Sequence, residues 1–277
     1  MKIRFKIFAL ITGVLMGCKK EGCTDPSATN YNPEAKTDNN TCEYYFESVT
    51  DSYYVPIFEE ESATLVAIDR GRYKIYNKMA MNGLTGFKYG YIAAFTADNG
   101  KNFVSADTVT VTALKFNFSN HYSPQNLYPN NDNTYNPIKS QFDITSIIQI
   151  NFVDTITWKA KGFTWPAFEL TATKLIPSMN EINSSAPHLS SNYTLSTGMV
   201  SNADSVLFEI HGQNKKIQKL FPGNQLSCDF TTEELKSVGR GPAILKIIAI
   251  VYEKKILDGK IYNLLKEREE IKQVFIE

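Results

Sequence analysis

The chain has 277 residues, 29 basic and 29 acidic, so its formal net charge is zero. A chain with no basic excess has no field to draw in a polyanion, which excludes nucleic-acid binding from the expected functions. Its 15 tyrosines and 17 phenylalanines suit β-structure, where aromatic rings pack across strands, and the length is ample for a large core. Taken from the N-terminus, residues 1–17 place Lys2, Arg4 and Lys6 ahead of an apolar run from Ile7 to Met16. Charge followed by about ten apolar residues is the order of a secretory signal, and it is too short for a membrane helix, which needs about 20.

The end of that run, Leu15-Met16-Gly17-Cys18, resembles the lipobox of bacterial lipoproteins. The resemblance implies cleavage before Cys18, lipidation of that residue and a body held at a membrane outside the cytoplasm. Two or three acyl chains make a stable anchor, because each buried methylene contributes about 0.8 kcal/mol. The expected location is the cell envelope, lipid-anchored at the outer membrane, on its periplasmic face or at the cell surface. Lys19-Lys20-Glu21 partly resembles the charged export signal of surface lipoproteins.

Outside the cytoplasm disulfides persist. Cys23 and Cys42 enclose 18 residues, which is neither a zinc-ribbon spacing nor a redox CxxC, so a disulfide is the simpler reading. In the chain-entropy model a loop near that length contributes about 3 kcal/mol, and this segment has few large apolar residues with which to hold a shape otherwise. Thr24-Asp25-Pro26, Ala28, Asn30-Tyr31-Asn32-Pro33, Ala35 and Asp38 through Cys42 resemble a short cysteine-bounded motif, TDPxAxNYNPxAxxDDGSC, of secreted and surface lipoproteins of Bacteroidota-type bacteria. The motif looks like a relative of calcium loops. That makes Asp25, Asn30, Asn32 and Asp38 the candidate ligands, because calcium takes six to eight hard oxygens. Here Asn39-Asn40-Thr41 stands where the family has Asp-Gly-Ser. Asn40 can replace glycine because asparagine tolerates the left-handed conformation, but the carboxylate at 39 is gone. The expectation is a spacer over residues 18–43, clipped by its disulfide and without a cofactor, and calcium at those four residues is the alternative.

The body reads as all-β. Val109 and Val111, then Leu114, Phe116 and Phe118, alternate with polar neighbours, the two-residue repeat of a half-buried strand. FDITSIIQINF and DTITWKAKG continue the pattern; Val206, Phe208 and Ile210 repeat it, and PAILKIIAIVYEK is apolar enough for a central strand. Asp258-Gly259 predicts a tight hairpin turn. Thr231 with Glu234 predicts a capped helical turn. NLLKEREEIKQ can be read as a helix with charges on one side, though VFIE after it reads as a closing strand. Strands joined by loops suggest sandwiches, and the polar segment 177–192 suggests a boundary. The expected fold is therefore two β-sandwich domains, 44–180 and 191–277. The second is similar to the immunoglobulin-like C-terminal modules of Bacteroidota lipoproteins, a likeness that bears on architecture alone.

Chemistry is sparse in this chain. His121, His188 and His211 fall in no metal-binding spacing, no GxSxG elbow is present, and Gly239-Arg240-Gly241 opens a strand rather than a helix. Cys228, alternating with Leu226 and Phe230, reads as a buried, unpaired core residue. Glu59-Glu60-Glu61 and Asp229 with Glu233 and Glu234 are acidic clusters that a glycosidase could draw on. The long polar loop 121–137 carries Tyr122, Tyr128 and Tyr135 among asparagines, and tyrosine with amide side chains suits a binding surface. The expectation is a non-catalytic, lipid-anchored module that recognises a protein or glycan through its loops. A carbohydrate-active enzyme and a purely structural envelope component are the alternatives.

Overall fold

The computed structural model describes residues 20–26, 28, 30–42, 56, 58, 60–70, 89–98, 100–114, 124–135 and 155–277. The leader, Cys18, Glu59, Phe116, Phe118, His121, Tyr122 and the 142–152 stretch lie outside them. The chain divides into two compact units, one holding the described residues through Cys42 and the other those from Pro56 onward.

In the first unit Cys23 and Cys42 form a disulfide. β1 (Glu21–Gly22) pairs in parallel with β2 (Thr37–Asp38), and the Asn32 amide donates to the Cys23 carbonyl at 2.9 Å. Only Cys23 and Ala28 are buried among its described apolar residues, so the covalent clip and backbone bonds stand in for a hydrophobic core. Asn40 adopts φ +59°, the left-handed conformation expected of it.

The second unit is built of strands. Its first half contributes β3 (Ser62–Arg70), β4 (Tyr89–Ala97), β5 (Asn102–Phe103), β6 (Val109–Leu114), β7 (Gln125–Leu127), β8 (Thr155–Ala160) and β9 (Phe168–Ala172). Its second half contributes β10 (Ser178–Met179), β11 (Tyr193–Ser196), β12 (Val200–Ser201), β13 (Ser205–His211), β14 (Lys216–Pro222), β15 (Ser227–Phe230), the short helix α1 (Thr232–Val238), β16 (Gly241–Leu257) and β17 (Lys260–Ile276). The described protein is thus all-β apart from α1. A mixed seven-stranded sheet runs in the order β14-β13-β16-β17-β3-β4-β5, and an antiparallel sheet in the order β7-β6-β8-β9. β17 lies parallel to β3, so the larger sheet joins strands from both sides of the 177–192 segment.

The spine of that sheet is the β16–β17 hairpin, turned by Asp258 and Gly259 at φ +49° and +74° with Leu257 opposite Lys260. Positive φ at both central residues is what a two-residue turn between twisted strands demands. Alternation then sorts the side chains into two faces. On one face Leu65, Phe95, Tyr262 and Leu264 share a core with Val109, Val111, Trp158 and Phe168 of the smaller sheet. Further along the same face Phe208, Leu245, Ile247 and Val274 share a second core with Leu195, Phe230 and Leu235. On the opposite face Val66, Ile68, Ile248, Ile250 and Leu265 form a third cluster.

Between the first two cores β17 carries Lys266, Arg268, Glu270 and Lys272, the polar run that also fitted a helix. They tolerate a central strand because they are partnered. Lys266 Nζ donates to the carbonyls of Ala172 at 3.3 Å and Lys174 at 2.5 Å. Arg268 pairs with Asp69 and with Glu270 at 2.8 Å, and Lys272 donates to the Ser184 carbonyl. Glu253 of β16 accepts from the backbone amides of Thr173 and Lys174 at 2.7 and 2.6 Å. The 177–192 segment is tied down as well, with Met179 and Ile182 in the second core.

Candidate functional site

At one end of the smaller sheet the row Leu127, Val109, Ala160 and Phe168 is the last paired row. Beyond it three segments meet. The first, 98–108, turns through Asp98 and Gly100 at φ +52° and +81°, and Asn102 Nδ2 donates to Asp98 Oδ2 at 2.8 Å. The second, 128–134, is a turn in which Asn130 donates to the Thr134 carbonyl at 2.8 Å, and Asp132 accepts from the Thr134 amide and hydroxyl at 3.0 and 2.6 Å. The third, 161–167, donates from Gly162 to the Ala106 carbonyl at 3.2 Å and from Trp165 to the Ser105 carbonyl at 2.9 Å. Asn133 Nδ2 completes the tie with a bond to the Phe103 carbonyl at 3.2 Å.

Each segment displays a ring. Phe163 is 79% exposed, Tyr128 65% and Phe103 45%. These are the exposed large apolar side chains of the described residues 56–170, whereas from Leu175 onward they are the aliphatic Leu175, Met199, Leu220, Leu226 and Ile256. Gly162 fixes the third loop: its φ is +87°, and a Cβ there would lie 2.4 Å from the Ala167 amide nitrogen. Beneath it Trp165 is buried, its indole donating to the Tyr262 hydroxyl at 3.3 Å and its ring tilted on Phe95 at 5.6 Å. Burial pushes the Tyr91 hydroxyl up to about 12 and raises that of Tyr262, so both remain neutral supports.

Of the three tyrosines expected to bind, Tyr122 lies outside the described residues and Tyr128 is exposed. Tyr135 is fully buried. Its backbone exchanges two hydrogen bonds with Ala93, while its hydroxyl accepts from the Ala106 amide at 2.9 Å and donates to the Asp107 carbonyl at 2.7 Å. It fastens the loop and offers no face to a ligand, because its donor and its ring are both committed to the interior. Phe103 and Phe163 were not singled out by alternation. Turn punctuation is a cue to Phe163, whose ring follows Gly162 in KGFT, but it does not separate that ring from Trp165, which stands beside Pro166 and is buried, and Phe103 lies in β5.

In the disulfide unit the expected calcium ligands serve as turn partners. Asn32 Oδ1 accepts from the Glu34 amide at 3.1 Å, Asp38 Oδ1 accepts from the Asn40 amide at 2.8 Å, and Asn30 Nδ2 donates to the Thr41 carbonyl at 2.6 Å. Asp25 lies in the same loop, its carbonyl accepting from Ala28 at 3.0 Å. Among the described residues no three His, Cys, Asp or Glu side chains gather as metal ligands.

The remaining sites of possible chemistry are dispersed. Glu60 pairs with Lys254 at 2.9 Å and Glu61 pairs with Lys260. Asp229 accepts from the Thr194 hydroxyl at 2.6 Å, and Glu234 closes the capping box of α1. His188 Nδ1 lies 3.4 Å from Glu277 Oε2 on the surface. Cys228 is buried and unpaired, beside buried Phe230, while Leu226 is exposed. Compared with known proteins, the chain matches no family model and no curated protein.

Proposed function

We propose that the protein is a lipid-anchored cell-envelope protein that binds a protein or glycan through its loops and carries no catalysis of its own. The observation that carries the reading is the set of three exposed rings, Phe103, Tyr128 and Phe163, on segments already tied to one another by hydrogen bonds. Rings held on ordered loops bind without a large ordering cost. Export is supported by the charged, apolar leader ending in Gly17-Cys18 and by the Cys23–Cys42 disulfide just after it, since disulfides persist outside the cytoplasm. The same reading takes the two cores as β-sandwich modules on a common sheet, the C-terminal one immunoglobulin-like, with the clipped unit as a spacer from the membrane.

The test has two arms on cells making the intact chain. A clickable palmitate analogue should label the wild type and not Cys18→Ser, and the labelled protein should sediment with membranes. Protease added to intact cells then assigns the face: digestion of the body places it at the surface, and protection places it in the periplasm. An unlabelled protein recovered in the soluble fraction contradicts the anchor.

A further inference from the structure

We infer that Ser62 and Asn263 form a buried site for an internal water molecule, held between them beneath Phe58 and Glu60. The site lies on the face of the larger sheet that carries Val66, Ile92 and Leu265. Register places it there. Ile261 stands opposite Ser62, and Asn263 stands between Lys254 and Thr64. Residues two apart share a face, so Ser62, Thr64 and Asn263 point away from Ala63, Leu65, Tyr262 and Leu264 of the first core. Ser62 is 1% exposed and Asn263 is fully buried. Ser62 Oγ and Asn263 Nδ2 have no partner within the protein, although Asn263 Oδ1 accepts from the Tyr252 hydroxyl at 2.7 Å. Burying a polar group unpaired is costly, and proteins meet that cost with ordered water wherever at least two polar groups converge. An amide donates and a hydroxyl also accepts, so a water accepts from Asn263 Nδ2 and donates to Ser62 Oγ.

Room for the water follows from side-chain size. Asn263 continues across the sheet into Thr64 and Ala94, and the Ser62 amide donates to Thr96 Oγ1 at 3.3 Å. The neighbouring row is larger, with Leu265, Val66 and Ile92. Small side chains beside large ones leave depth under whatever covers the sheet. Phe58 stacks on Tyr252 with ring centroids 6.1 Å apart, Glu60 pairs with Lys254 at 2.9 Å, and the Glu60 carbonyl accepts from the Thr96 hydroxyl at 3.3 Å. These two residues thus reach from β16 to β4, and β17 and β3 lie between. The water completes a line of contacts from Ser62 through Asn263 and Tyr252 to Phe58, which fastens the chain ahead of β3.

The test is oxygen-17 relaxation dispersion of water with the intact chain in mild detergent, which counts waters held longer than the protein takes to tumble. Ser62→Ala and Asn263→Leu should each hold about one such water fewer than the wild type, and the double variant should lose no more than either alone. Circular dichroism checks that each variant folds. Ser62→Ala should also unfold at a lower urea concentration, because the water loses a partner; deleting a hydroxyl that bonds nothing leaves the midpoint unchanged or raises it. An undiminished count in either variant, losses that add in the double variant, or a Ser62→Ala midpoint at or above that of the wild type overturns the inference.

Discussion

Burial sets the behaviour of single side chains most plainly at Cys228, whose thiol is pushed up to about 11 chiefly by loss of solvent. A thiol rather than a thiolate is a poor nucleophile. Iodoacetamide at pH 8 should therefore leave Cys228 unmodified in the native protein and alkylate it in urea, as read by intact mass; fast native alkylation would contradict its placement. The opposite case is Arg268, a cation inside a sheet. Its guanidinium serves Asp69 and Glu270, whose side chains are almost fully buried. Removing one member of such a group is costly because the charges left behind lose their counterion. Arg268→Leu should lower stability in urea unfolding by about 3–5 kcal/mol, and a loss under 1 kcal/mol would mean that the seam is solvated.

The helix α1 shows how far local sequence signals reach. Thr231 accepts from the Glu234 amide at 3.2 Å while Glu234 Oε2 accepts from the Thr231 amide at 2.8 Å, the reciprocal pair expected of the TTEE pattern. Thr231→Ala should cost about 1 kcal/mol. Lys219, donating to Glu234 at 2.8 Å, holds that carboxyl below its ordinary range. A carboxylate depressed by folding stabilises above its unfolded pKa, and that contribution disappears as pH falls through the folded value. Glu234→Gln should therefore be less stable than wild type at pH 7 and converge on it under acid, measured by urea unfolding across pH; a pH-independent difference would count against the ion pair. The Asp258-Gly259 hairpin was equally legible, because turn chemistry is local. The strand β17 was not. Its alternation of Lys266, Arg268, Glu270 and Lys272 only makes sense once the carbonyls of Ala172, Lys174 and Ser184 are known to face it, and those partners lie about 90 residues away in sequence.

At the scale of the molecule, the parallel pairing of β17 with β3 joins the two ends of the body. No periodicity encodes such a contact, so the polar segment 177–192 reads in sequence as a divider although Met179 and Ile182 anchor it. A fragment spanning 191–277 would lose β3 and expose Tyr262 and Leu264. It should bind the dye ANS strongly and unfold without cooperativity, and a compact, cooperatively folding fragment would contradict the shared sheet. The candidate site follows the same rule. Tyr128 was visible as one aromatic residue in a polar loop, but Phe103 of β5 and Phe163 of the 161–167 segment are joined to it only by hydrogen bonds that form in the folded chain. The most direct measurement is photo-crosslinking of the intact protein in cells, with benzoylphenylalanine at 163 in one strain and at 220 in another. Adducts from position 163 and none from position 220 are the predicted result; equal yields from both, or none from 163, would contradict a binding surface at the aromatic end.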